Sequence, residues 1–117
     1  MQTYQGSCHC GAIQFEFKAP AINSGLRCNC SICKRKGAIM SDFVLAPDEL
    51  QIKINRDALA TYTFDSGIAQ HHFCKYCGIY PFHQTVRKPG HYRVNLGCID
   101  ELDSLALAVK VFDGASL

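Results

Sequence analysis

The sequence lacks the features that would place it in a membrane or on a nucleic acid. No apolar run approaches the roughly 20 residues that a membrane span requires, and no basic stretch followed by an apolar core opens the chain as a secretory leader would. The expectation is a soluble, cytoplasmic protein. Charge is also scarce: Asp, Glu, Lys and Arg make up only 19% of residues and the formal net charge is +2. Basic and aromatic residues are not interleaved, so nucleic acid is not an expected partner. Internal repeats and low-complexity segments are absent, and a hydrophobic share of 48% excludes the composition of a disordered chain. The 117 residues fit one domain, 1–117, with one core.

What such a short chain has in excess is cysteine. A core of this size is thin, and the eight cysteines offer a means of reinforcing it. They fall into Cys8-His-Cys10, Cys28-Asn-Cys-Ser-Ile-Cys33, Cys74-Lys-Tyr-Cys77 and a lone Cys98. In a reducing compartment, short paired spacings read as metal ligands before they read as disulfides. Residues two apart on extended chain point to one side, so Cys8 with Cys10 and Cys28 with Cys30 can each grip one ion. Cys74 and Cys77, with Gly78 behind them, form a knuckle whose tight curl glycine permits.

Tetrahedral zinc takes four protein ligands in structural sites and typically three plus an open position in catalytic ones. The seven clustered cysteines divide accordingly. Cys8, Cys10, Cys74 and Cys77 pair two two-point chelators into a closed site, leaving Cys28, Cys30 and Cys33 as a three-thiolate loop. The expectation is two zinc ions per chain, with seven thiolates turning the formal charge into about −1. Spacing alone leaves a second closed site open as the alternative, with Cys98 or a histidine as its fourth ligand.

The rest of the chain reads as short strands. Ile13, Phe15 and Phe17 alternate with Gln14, Glu16 and Lys18, the period of a half-buried strand. Similar β-branched or aromatic runs lie at Ile39 to Leu45, Leu50 to Ile54, Ala60 to Phe64, Gln70 to Phe73, Ile79 to His83, Tyr92 to Leu96 and Leu107 to Phe112. Turn residues at Pro47 to Glu49, Asp65 to Gly67 and Lys88 to Gly90 separate them. Single helical turns are expected only at Ser31 to Lys36, with Ser31 as N-cap, and at Asp100 to Ser104. The class is mainly β, mostly antiparallel. Tyr62, Phe64, Phe73, Phe82 and Tyr92 are read as core, and His71 and His72 as core-edge or exposed in preference to a general base near the open zinc. His9 points away from its neighbours' metal, and His83 and His91 carry no assigned role.

These residues resemble the glutathione-dependent formaldehyde-activating family, which includes centromere protein V. The resemblance runs nearly end to end. It rests on Gly6-Ser-Cys-His-Cys-Gly11, on Cys28 to Cys33 with Lys36-Gly37, on Tyr62-Thr-Phe64, on Phe73-Cys-Lys-Tyr-Cys-Gly78, and on Arg93-Val-Asn95 leading to Cys98-Ile-Asp100. It implies a small β-tent, a structural zinc on Cys8, Cys10, Cys74 and Cys77, and a catalytic-type zinc on Cys28, Cys30 and Cys33. The implied activity is that of a carbon-sulfur lyase acting on a small thiol adduct, joining glutathione and formaldehyde to S-hydroxymethylglutathione. The run Cys28 to Gly37 lies closer to the centromere protein V branch.

A zinc with an open position suits C–S bond chemistry, as Lewis acid or as holder of a thiolate. Arg35, of the basic run Lys34 to Lys36, is the candidate for glutathione's carboxylates, since three consecutive side chains cannot all face one pocket. Arg93 is read as an ordinary strand cation. The competing expectation is a non-catalytic binding module in which both zinc ions are structural.

Overall fold

A computed structural model describes residues 1–117. Ten strands and one short helix make up the regular structure: β1 (Gln2–Ser7), β2 (Ile13–Ala19), β3 (Ser24–Cys28), α1 (Ser31–Lys36), β4 (Met40–Ser41), β5 (Gln51–Ile54), β6 (Leu59–Tyr62), β7 (Gln70–Cys74), β8 (Phe82–Gln84), β9 (Tyr92–Val94) and β10 (Ala108–Phe112). They form three small sheets, ordered β1-β2-β5, β10-β3-β4 and β6-β7-β8-β9. The fold is mainly β, a small tent of short strands. No helix is long and apolar enough to cross a membrane.

The period-2 pattern in β2 does what it should: Ile13, Phe15, Phe17 and Ala19 are buried while Gln14 and Lys18 face water. Phe17 stacks on Tyr4 at 5.4 Å and Phe15 meets Phe82 edge-on at 6.2 Å. The core thus joins the first sheet to the third. Full burial of each such side chain stabilises the fold by roughly 1.5–3 kcal/mol. Isolated bridges from Met40 to Asn95 and from Leu45 to Tyr92 tie the second sheet to the third.

Several expectations change. β1 and β3 are strands that the sequence pattern does not announce, and the expected run Ile39 to Leu45 shrinks to Met40–Ser41 plus the Leu45 bridge. The eighth strand begins at Phe82 because Pro81 has no N–H to give a ladder. β10 runs parallel to β3, an exception in an otherwise antiparallel set. A 3-10 turn at Ser104–Ala106 replaces the turn expected from Asp100. Cys30, not Ser31, caps α1, and its side chain makes no capping hydrogen bond.

Candidate metal centres and substrate cavity

Two hairpin loops of the same design build the first cysteine group. Cys8 N–H donates to the Ile13 carbonyl and Cys74 N–H to the Ile79 carbonyl, both at 3.0 Å, so each loop closes after six residues. Within each, a glycine turns the chain with φ of +79°, Gly11 in one and Gly78 in the other. The two loops face each other and bring Cys8, Cys10, Cys74 and Cys77 together, all four sulfurs within 4.8 Å of one another. Cys10 Sγ lies 3.7 Å from Cys8 Sγ and 3.6 Å from Cys74 Sγ. A tetrahedron with zinc–sulfur bonds of about 2.3 Å has edges of about 3.8 Å, so the donor set fits a four-thiolate metal site.

Burial pushes the Cys8 thiol up to about 11. For Cys77 burial also acts upward, but the N–H groups of Ile79 and Cys10 and the neighbouring thiols outweigh it and bring the pKa down to about 6. The Ile13 N–H points at Cys8 Sγ at 3.3 Å, a contact that favours a thiolate there.

The second group is local. β3 delivers Cys28 and the start of α1 holds Cys30 and Cys33, with all three sulfurs within 4.8 Å of one another and no imidazole or carboxylate among them. Burial, followed by the Cys30 thiol, pushes Cys33 up to about 12. Burial acts upward on Cys30 as well, but the N–H groups of Cys33 and Ile32 reverse it and leave that thiol below its ordinary value. A cation binding to Cys33 at neutral pH must therefore displace a proton. Cys98 is buried elsewhere: its sulfur meets the Tyr80 carbonyl at 3.7 Å, and its neighbouring thiols are Cys8 and Cys77. It does not complete the three-sulfur group.

A segment distant in sequence packs over this loop. Asn29 donates to Asp113 Oδ1 at 2.9 Å, and its own Oδ1 accepts from the Ala115 N–H at 2.9 Å. Gly114 comes so close that a Cβ there would stand 2.5 Å from Cys28 Sγ. Gly114→Ala is expected to weaken metal binding at this site by about tenfold or more, the usual cost of disturbing what supports a ligand. Chelator competition reads this, with the four-cysteine site unchanged as the internal control.

The three sulfurs line a cavity of about 210 Å³ whose walls are mostly apolar, among them Ile32, Met40, Phe64 and Phe112. Phe64 and Tyr62, expected in the core, are partly exposed, at 36% and 49%, with Phe64 at the cavity wall. Three cations also line it: Lys36, Arg87 and Arg93. Of the basic run on α1, only Lys36 turns inward. Arg35 is exposed, donates to the Ser31 carbonyl at 2.8 Å along its own helix, and is not part of the cavity wall.

Lys36 has no carboxylate partner, since the chain's ion pairs are Lys75–Asp57 and Lys110–Asp42. Its Nζ lies 3.1 Å from His71 Nδ1, 3.4 Å from His83 Nδ1 and 5.0 Å from the Tyr80 ring centre. Burial lowers its pKa and the nearby thiols oppose that shift. Strand alternation explains the histidines. His72 faces the core against Phe82 and is held between Thr61 Oγ1 at 2.8 Å and Gln84 Oε1 at 2.9 Å. His71 faces the cavity, and burial, followed by Lys36, pushes its pKa down to about 4, so it is neutral at pH 7. His83 pairs across the sheet with both His71 and Arg93, which sets the three side by side on three strands. His83 and Arg87 had no signal in local spacing, since only the pairing of β7, β8 and β9 brings them to the site.

Comparison with known proteins identifies the family. The profile of the glutathione-dependent formaldehyde-activating enzyme family matches residues 3–114. Among solved structures, that of a Rhodobacter sphaeroides protein determined by structural genomics is similar, with a TM-score of 0.80 and 32% identity over 92% of this chain and 99% of that one. The chain belongs to the glutathione-dependent formaldehyde-activating enzyme family.

Proposed function

We propose that the chain is a zinc enzyme of carbon-sulfur bond formation that joins a small aldehyde to an anionic thiol, with glutathione and formaldehyde as the pair the family name suggests. One observation carries this reading. Three sulfurs with no fourth protein ligand open onto a cavity that also holds three cations. Two zinc ions per chain are proposed, a structural one on Cys8, Cys10, Cys74 and Cys77 and a second on Cys28, Cys30 and Cys33. The second would supply Lewis acidity and favour the thiolate form of an incoming thiol.

The remaining work falls to side chains. Lys36 balances the negative charge of the three thiolates and of the arriving sulfur. A cavity of about 210 Å³ is below the usual range for a whole drug-sized ligand, so it suits the cysteinyl arm and the adduct carbon. The carboxylates stay at the rim, where Arg87 lies exposed over the Phe112 ring. Arg93, held by the Ser41 carbonyl at 2.9 Å, is the second candidate cation for them, in preference to Arg35. In the reaction the sulfur attacks the carbonyl carbon and the C–S bond forms. The C=O π pair moves to oxygen, and oxygen takes up the proton that the thiol released.

The test is exchange NMR on an equilibrium mixture of glutathione, formaldehyde and their adduct. Zinc-loaded protein is expected to accelerate exchange above the buffer rate, and Cys30→Ser, still folded, to lose the acceleration. Wild-type protein that leaves the rate unchanged would overturn the reading. The rival, a binding module with two structural zinc ions, is disfavoured by the position of Cys98, away from the second group.

A further inference from the structure

Two buried polar atoms of this chain have no hydrogen-bond partner, His71 Nε2 and Arg93 Nε, and both residues line the same cavity as Cys28, Cys30 and Cys33. A buried donor left without a partner is destabilising, so such a pair in one cavity wants an acceptor from outside. For Arg93 Nε the atom is always a donor. For His71 the tautomer decides, and Lys36 decides the tautomer. An ammonium has three donors and no acceptor, so the imidazole nitrogen facing it across 3.1 Å must be bare. The proton of neutral His71 then sits on Nε2. His71 is only 3% exposed, and the Phe64 ring stacks on it at 5.7 Å, so solvent does not readily satisfy that proton.

Building on the reaction proposed above, we infer that His71 is a catalytic residue whose Nε2–H donates a hydrogen bond to the substrate oxygen, on the carbon that becomes bonded to sulfur. As the C–S bond forms and the π pair moves to oxygen, negative charge grows at the acceptor of this bond. The bond strengthens with that charge. His71 keeps its own proton, because losing it would leave an imidazolate. Oxygen is protonated with the proton released by the thiol, returned through solvent. His83 assists only by helping to hold Lys36, its Nδ1 being 3.4 Å from Nζ. Arg93, two strands away in the same cross-strand row and lining the same cavity, carries the other buried donor without a partner, its Nε.

Two amide replacements separate the nitrogens. Glutamine can place its amide nitrogen where Nε2 stood, whereas asparagine reaches only the Nδ1 position. In the exchange assay His71→Asn is expected to lower kcat about a hundredfold, the usual loss of one such donor. Its KM for glutathione should stay within about threefold, and His71→Gln should retain kcat within about tenfold of wild type. Long-range 1H–15N spectra of zinc-loaded protein are expected to show His71 as the Nε2–H tautomer. An Nδ1–H tautomer overturns the inference, as does equal activity in both variants, whether kept or lost. Wild-type protein without any acceleration overturns the proposed function itself, whereas an active wild type with an active His71→Asn sinks the role of His71 alone.

Discussion

Cys74→Ser is expected to lower the melting temperature by more than about 10 °C, while Cys30→Ser lowers it by less than about 4 °C. Cys74 is completely buried, and its sulfur lies 3.6 Å from that of Cys10, 64 positions away in sequence. A metal ion there would fasten the loop after β1 to the loop after β7, so its binding free energy would count almost wholly as folding free energy. Structural zinc in small domains contributes on the order of 10 kcal/mol. In a chain of this length each kcal/mol moves the midpoint by roughly 4 °C, so even partial loss passes the stated threshold. Cys28, Cys30 and Cys33 come from six consecutive positions, and an ion bridging them restrains little that the chain does not already restrain. Thermal melts of both variants, purified with metal and reductant, check the contrast. Equal losses would mean that both groups are structural.

The division of the cysteines was legible because metal chelation is local chemistry. Spacing two or three apart is enough to say which sulfurs act together, and both groups assemble as that spacing requires. The β2 pattern was legible for the same reason, since burial on one face imposes period 2. β1 was not, because Gln2–Ser7 is an edge strand that buries none of its side chains and leaves no alternation to read. β3 was hidden by Gly25, a poor strand former that is present because the Ile39 side chain occupies the space its Cβ would need. The parallel pairing of β10 with β3 joins segments about eighty residues apart, and no local pattern encodes it.

The cavity side was the least legible. Helical geometry makes one of Lys34, Arg35 and Lys36 face inward, but which one depends on where β7 and β8 lie against α1. It is Lys36 that turns to His71 and His83, while Arg35 runs along the helix surface. Cys98 is a lone residue in a 3-10 turn, and only the fold places it beside Cys8 and Cys77 and away from the three-sulfur loop. Tyr62 and Phe64 looked like core because aromatics at strand spacing usually are. Both are partly exposed: Tyr62 ends β6 and stacks on Phe64 at 5.8 Å, and Phe64 lies at the cavity wall against His71.

The proposed reaction requires the three-cysteine centre to take up a free thiol. Glutathione and S-methylglutathione carry the same two carboxylates, but only glutathione can become a thiolate. In titration calorimetry of the zinc-loaded protein, glutathione is expected to bind at least about tenfold more tightly than the S-methyl compound, a difference of about 1.4 kcal/mol or more. Cys30→Ser should remove that difference and leave the weaker, carboxylate-dependent binding in place. Equal affinity of the two ligands for wild-type protein would contradict thiolate capture at this centre.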